Sequence, residues 1–271
     1  MRIDGSGTLR ASCVLCPNPG PMTLDGTNTW VLREPGARSV LVVDPGPDHE
    51  RHLERVARMV QEQGSQVVQT LLTHGHDDHS AGARYFSELT GSQVRAIDPA
   101  HRISGEGFTD GEVIEADRLE VRVLYTPGHT SDSVSFHLPA DDVVITGDTV
   151  LGRGTAVIVA EDGGDIGDYL KSLTRLRDLV ADADIRALLP AHGPICTEPL
   201  LKLNYYIQHR EERLGQISEA VAAGAETPAE VVDRVYADVD EAVRFAAEAS
   251  VRAQLRYLIR RGDVPPEILP E

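Results

Sequence analysis

The sequence predicts an α/β layered domain followed by a small helical one, and two observations carry the prediction. From Thr27 to about Ile195, short runs rich in valine, isoleucine and leucine alternate with longer amphipathic stretches, the pattern of sheets covered by helices. After Pro199 no strand-length apolar alternation survives, so the layered domain is placed at residues 1–198 and the helical one at 199–271.

The expected strands are, in order, "TNTWVL", "SVLVVD", "QVVQTLLT", "QVRAI", "LEVRVLY", "SVSFHL", "DVVITG" and "IRALLP". Helices fall between them at Asp48 to Gln63, Ser80 to Thr90 and Asp165 to Ala181. In the second unit "PLLKLNYYIQHREERLGQISEAVAAG" reads as one long helix ending at Gly224. "TPAE" then supplies a capping Thr227, a proline at the first helical position and Glu230 three residues after the cap. A last helix runs from about Glu241 to Arg261, with Gly262 as its stop. The apolar surface of "LLKLNYYI" either docks on the core or meets a second copy of the chain in a homodimer.

Composition narrows the function classes. At 271 residues, 41% hydrophobic and 25% charged, the chain is of ordinary globular make-up, which sets aside disordered and fibrous classes. A formal net charge of -17 argues against a surface that traps nucleic acid everywhere, because such binding rests on lysine and arginine neutralising phosphates. Three cysteines build no disulfide framework, and the lone C-x-x-C of Cys13 and Cys16 lacks the second pair of a zinc knuckle. The N-terminal stretch is interrupted by Asp4, Gly5 and Gly7, and no run approaches the roughly 20 apolar residues of a membrane span. A cytoplasmic protein without a membrane partner is expected.

Four of the expected strands end alike, in an apolar run, small turn-forming residues and then a metal-ligand type. They are "VVQTLLTHGHDDH", "VRVLYTPGH" ending at His129, "VVITGD" ending at Asp148 and "IRALLPAH" ending at His192. In layered α/β folds the carboxyl ends of neighbouring strands converge on one edge, so these ligands are expected at one place. His74 and His76 are two residues apart and leave an extended segment on the same side. With His129 they make a first site of three protein ligands. Asp78, His79 and His192 make a second, and Asp148 bridges, because a carboxylate has two oxygens to share. Two ions roughly 3.5 to 4 Å apart hold one hydroxide and polarise the group under attack, which implies hydrolysis. Asp78 is also expected to orient that hydroxide or relay its proton. Zinc suits the donor set, and iron or manganese tolerates it. Asp77 is read as a non-ligand, Ser80 as a helix cap, and His49, His52, His101, His137 and His209 as structural or solvent-exposed.

"THGHDDH", "TPGHT", "TGDT" and "PAHGP", in that order, resemble the metallo-β-lactamase superfamily. The resemblance implies an αββα sandwich with a two-metal site at one edge. Asp148 stands where the commoner zinc β-lactamases carry a cysteine, so antibiotic hydrolysis is disfavoured. "NPGPMTLDGTNTWVL", "TGDTVLGRGTAVI", "LLPAHGPI" and "YYIQHREERLGQI" are similar to the group typified by β-lactamase-like protein 2, which has a C-terminal winged-helix-like extension. That resemblance implies an endoribonuclease acting on single-stranded RNA, or, as in fungal members, a thioesterase on carrier-bound polyketides.

This chain's acidity and its "EDGGD", Glu161 to Asp165, near the expected mouth of the site bear against RNA. Arg252, Arg256 and Arg260, joined by Arg244, recur on one helical face and are candidate phosphate contacts, although a solvated charged face is the usual meaning of such a run. Three functions therefore compete: cleavage of RNA phosphodiesters, hydrolysis of a small acyl ester or thioester, glyoxalase II-like or on an acyl carrier, and a non-enzymatic metal-binding role.

Overall fold

The computed structural model describes residues 3–237 and 244–269. Alternation along each strand builds its layers. In β3 (Ser39–Val43), Val40 and Val42 face one way while Leu41 and Val43 face the other. The first pair packs with Leu53, Val56 and Val60 of α1 (Glu50–Glu62) and Phe86 of α3 (Ala83–Thr90). The second pair meets the facing sheet across a core of Trp30, Leu71, Val121, Phe136, Ile145 and Leu189.

The first sheet has the order β1 (Ala11–Leu15), β2 (Asn28–Leu32), β3, β4 (Gln66–Leu71), β5 (Gln93–Arg95). β3, β4 and β5 are parallel, and β1 and β2 close the other edge antiparallel. The second sheet runs β10 (Ala187–Pro190), β9 (Val143–Gly147), β8 (Val134–Leu138), β7 (Leu119–Tyr125), β6 (Val113–Ala116). Its β10 is parallel to β9 and the remaining pairs are antiparallel, so β7, β9 and β10 point the same way. β1 and β6 were not among the expected strands; "ASCVL" precedes the alternating region, "VIEA" buries only Ile114 and Ala116, and each is completed by an antiparallel neighbour.

The outer face of the second sheet is covered by α4 (Ile166–Asp182) and, beyond it, by α5 (Pro199–Ala222), α6 (Pro228–Val235) and α7 (Arg244–Arg261). One apolar cluster runs from Val144 and Leu188 of the sheet through Leu173 and Leu176 of α4 to Leu203, Ile217, Val231 and Leu255. The architecture is thus two sheets between helical layers, with the C-terminal helices sharing the core of the outer one. Leu203 and Tyr206 dock on that core, whereas Leu201 and Tyr205 remain exposed. Thr227 caps α6, its hydroxyl accepting from Glu230 N while Glu230 accepts from Glu226 N. The start expected for the last helix, Glu241, lies outside the described residues; Gly262 follows its end at φ 76°. No described helix is long and apolar enough to cross a membrane.

Candidate metal centre

The two sheets are stitched together at the edge where β3, β4, β7, β9 and β10 end. Asn28 donates through its side chain to Pro190 O at 2.9 Å and Gly193 O at 2.8 Å, Trp30 Nε1 donates to Pro190 O at 3.1 Å, and Val134 N donates to Thr73 O at 2.8 Å. The loops after these strands bring His74, His76, Asp78, His79, His129, Asp148 and His192 together. Their donor atoms form three overlapping groups, each within 4.8 Å: His74, His76, His129; His74, His79, Asp148; and Asp78, His79, His192.

Four of the five histidines are aimed by the other ring nitrogen. Thr73 Oγ1 donates to Asp44 Oδ2 at 2.7 Å, so at 3.0 Å it accepts from His74 Nδ1 and leaves the Nε2 lone pair facing the centre. His129 Nδ1 donates to Val157 O at 2.9 Å, His79 Nδ1 to Asp44 Oδ2 at 2.9 Å and His192 Nδ1 to Gly26 O at 3.1 Å. His76 turns the opposite way and presents Nδ1, which lies 3.1 Å from both His74 Nε2 and His129 Nε2. Asp148 spans the groups, with Oδ2 3.7 Å from His129 Nε2 and Oδ1 3.4 Å from His192 Nε2.

Three polar atoms here, His79 Nε2, His192 Nε2 and Asp148 Oδ1, are buried without a hydrogen-bond partner. Such atoms are costly unless something fills the space between them. The electrostatics agree. Burial, reinforced by His79 and His129, pushes His74 well below its ordinary value, and burial takes His129 to about 4 against the pull of Asp148. Both rings are neutral lone-pair donors. At the other group burial is outweighed: Asp78, Asp148 and Asp44 hold His79 well above its ordinary value, and Asp148 and Asp78 raise His192. Against burial, those histidines hold Asp78 and Asp148 far below the usual carboxylate range. A proton on an imidazole there stands in for a cation, and the residues fit divalent metals on these grounds.

Local backbone makes the approach possible. At Gly128, φ is 131° and a Cβ would come within 2.2 Å of Tyr169 N, so α4 seats its first turn directly beside His129 only because residue 128 has no side chain. A Cβ at Gly75, between the two leading histidines, would meet His101 Nε2 at 2.6 Å. His101, read from the sequence as structural or solvent-exposed, packs against the motif and lines a cavity of 390 Å³ with His76, Asp98, Asp132 and Asp162. Asp77 opens the short helix α2 (Asp77–Ser80), is exposed and lies outside the three groups. Ser80 is no cap: it ends α2, and its hydroxyl donates to Gly75 O at 2.8 Å.

Sequence reasoning missed Asp44. The signal was present, since "SVLVVD" ends in an acid like the other strand ends, but it stands far from every histidine of the motifs. The C-x-x-C thiols are buried and free, and burial pushes both up to about 12, so they are neutral thiols at pH 7.

A second cleft of 390 Å³ opens onto the centre past His76, Asp78, His129 and Asp148. Met22, Leu24, Leu151 and Phe245 line it with Arg153 and Asp162. Asp162 Oδ2 lies 3.9 Å from His76 Nε2. Of the three candidate phosphate contacts on α7, Arg252 pairs with Glu248 of its own helix, while Arg256 and Arg260 pair with Glu161 and Asp165 of the acidic segment beside the cleft.

The chain matches the metallo-beta-lactamase superfamily over residues 22–192 and the beta-lactamase associated winged helix domain over residues 227–266. It is 32% identical over 259 residues to a beta-lactamase-like protein 2 homolog of Caenorhabditis elegans, covering 93% of this chain and 84% of that one. Against an atrochrysone carboxyl ACP thioesterase of Aspergillus fumigatus it is 32% identical over 253 residues, covering 86% of this chain and 76% of the other. The crystal structure of a metallo-beta-lactamase family protein from Thermus thermophilus superimposes with a TM-score of 0.76 at 22% identity, covering 93% and 94% of the two chains, a likeness of fold. A layered core with ligand-type residues at five strand ends, matched along most of its length by these relatives, makes this chain a member of the metallo-β-lactamase superfamily of hydrolases.

Proposed function

We propose that the chain is a two-metal hydrolase acting on a small ester or thioester. The observation that carries the metal reading is the convergence of the partnerless His79 Nε2, His192 Nε2 and Asp148 Oδ1 with the lone pairs of His74 and His129. His74, His76 and His129 would hold one zinc ion, Asp78, His79 and His192 the other, and Asp148 both; iron or manganese would suit the same donors. When bound, the pair supplies water made nucleophilic at neutral pH and Lewis-acid polarisation of the substrate carbonyl.

The chain's own residues do the remainder. Asp78, on the cleft wall, would accept a hydrogen bond from the attacking water and orient it. A carboxylate beside two cations is a poor final proton sink, which makes orientation its main role and relay a transient one. Met22, Leu24, Leu151 and Phe245 give the acyl portion an apolar wall and exclude water from one side of the carbonyl.

Charge supports this substrate class. A phosphodiester backbone needs unpaired cations, and Arg252, Arg256 and Arg260, the candidate phosphate contacts, each face a carboxylate of the chain. Asp162 adds negative charge at the cleft. The thioesterase among the relatives supports the same reading.

The test is a panel on zinc-loaded protein: an acyl thioester, a short ester, a phosphodiester chromogen and single-stranded RNA, each at low and moderate salt, with His76→Ala and Asp148→Ala as controls. Turnover of the thioester or ester that hardly responds to salt and is abolished in both controls is expected. RNA cleavage that falls steeply with salt, without ester turnover, would reverse the substrate assignment, and activity surviving both controls would sink the metal mechanism.

A further inference from the structure

Behind the metal edge, on the side away from the cleft, three polar side chains of the helical layer reach one stretch of backbone. Tyr169 Oη of α4 donates to Thr149 O at 2.7 Å. Tyr206 Oη of α5 donates to Gly154 O at 2.9 Å and accepts from Leu151 N at 2.9 Å. Arg210, one turn further along α5, donates from Nη2 to Ala156 O. Arg210 is 3% exposed, and its guanidinium lies 5.2 Å from the centre of the Tyr169 ring and pairs with no carboxylate among the described residues. Its Nε is buried without a partner.

A buried guanidinium with no carboxylate partner among the described residues is costly, and an apolar side chain of similar length would pack there without that penalty. What Arg210 holds is specific. Ala156 precedes Val157, whose carbonyl accepts from His129 Nδ1 and so sets the direction of His129 Nε2. Thr149, held by Tyr169, follows Asp148. Leu151, Gly154, Ala156 and Val157 are themselves the wall of the cleft.

We infer that Arg210 and Tyr206, in the C-terminal helical segment, are positioning residues for the metal centre, fixing the 149–157 backbone that aims His129 and shapes the substrate wall. The assignment rests on the two-metal reading above. It gives the helical segment a role in the site: its first helix is a brace for the ligand shell.

The experiment measures zinc affinity by chelator competition, together with kcat and KM, for wild type, Arg210→Met, Arg210→Lys and Tyr206→Phe. Thr227→Ala, which removes the α6 cap, serves as a control that loses stability far from the metals. Arg210→Met and Tyr206→Phe should weaken binding of one zinc ion about 10-fold or more and lower kcat more than they raise KM, the scale on which outer partners of metal ligands act. Arg210→Lys, which keeps a donor for Ala156 O, should recover part of both. Thr227→Ala should lose thermal stability with zinc affinity unchanged. Unaltered zinc affinity in folded Arg210→Met and Tyr206→Phe overturns the inference, as does an equal loss in Thr227→Ala; if Arg210→Met does not fold, Tyr206→Phe decides. A wild type that binds no zinc removes the two-metal reading and the inference together, whereas two-zinc wild type with unaffected variants removes the inference alone.

Discussion

Asp44 shows how much of the centre is made by a residue that touches no substrate. It is 1% exposed, sits at the end of β3 with φ 49°, and accepts from Thr73 N, Thr73 Oγ1 and His79 Nδ1 at 2.8, 2.7 and 2.9 Å. Those bonds fix the tautomers of His74, through Thr73, and of His79. Asp44→Asn, which keeps one acceptor oxygen and loses the charge, is expected to weaken zinc binding about 10- to 100-fold in a chelator titration; wild-type affinity would show that the carboxylate is dispensable. His52 is a second buried residue, on the inner face of α1, with Nε2 2.9 Å from Thr29 Oγ1 and Nδ1 buried without a partner. Burial lowers it from 6.5 to about 4. The unfolded chain therefore binds the extra proton first as pH falls, so the stabilising contribution is complete above pH 6.5 and is lost between about 6.5 and 4, up to about 3 kcal/mol. In urea unfolding, His52→Gln should show a smaller loss of stability than wild type between pH 7 and pH 5; equal losses would remove His52 from the acid response.

At the scale of elements, the fold works by delivering strand ends. β3, β4, β7, β9 and β10 finish at one edge because β3 and β4 are parallel, β9 and β10 are parallel, and β7 runs with β9 across the antiparallel β8. The close approach of α4 to that edge depends on Gly128. Gly128→Ala would place a Cβ 2.2 and 2.3 Å from Tyr169 N and Cα, both backbone, at a φ of 131°. It should cost about 2 to 4 kcal/mol in urea unfolding and displace His129 enough to reduce zinc affinity in parallel. A stability loss below about 1 kcal/mol would show that the loop relaxes freely. The long helices were legible from their periodicity, Pro199, Thr227 and Gly262 marking their ends, whereas β1 and β6 were not: β1 precedes the alternating region that begins at Thr27, β6 buries only Ile114 and Ala116, and both depend on their partners for definition.

At the scale of the whole molecule, the helical C-terminal segment and α4 share one apolar cluster reaching Val144 and Leu188 of the second sheet. A shared core ties the unfolding of its parts. Chemical denaturation followed at once by near-ultraviolet circular dichroism and by hydrogen exchange in α5 to α7 should give a single transition. An earlier, separate loss of the helices would mean that the C-terminal unit is thermodynamically independent. The charge distribution acts at the same scale: a net charge of -17, with Arg256 and Arg260 paired to Glu161 and Asp165 beside the cleft, leaves little unpaired positive charge there to draw in a polyanion.

By itself the sequence determined the layered α/β class, the helical C-terminal unit and which side chains would meet at the edge, because hydrophobic periodicity and the repeated strand-end ligand are local patterns that survive in one dimension. Tertiary structure decided the rest. Asp44 joins His79 across 35 positions and Arg210 reaches Ala156 across 54, and neither separation is written in any local run. The cleft was likewise invisible, since Phe245 shares no motif with Met22 and Leu24 and becomes their neighbour only when the N-terminal loop and α7 fold over the same edge. The arginine face of α7 read as a candidate phosphate track, but the carboxylates that face Arg256 and Arg260 lie 95 residues away in the chain, where only packing brings them into contact.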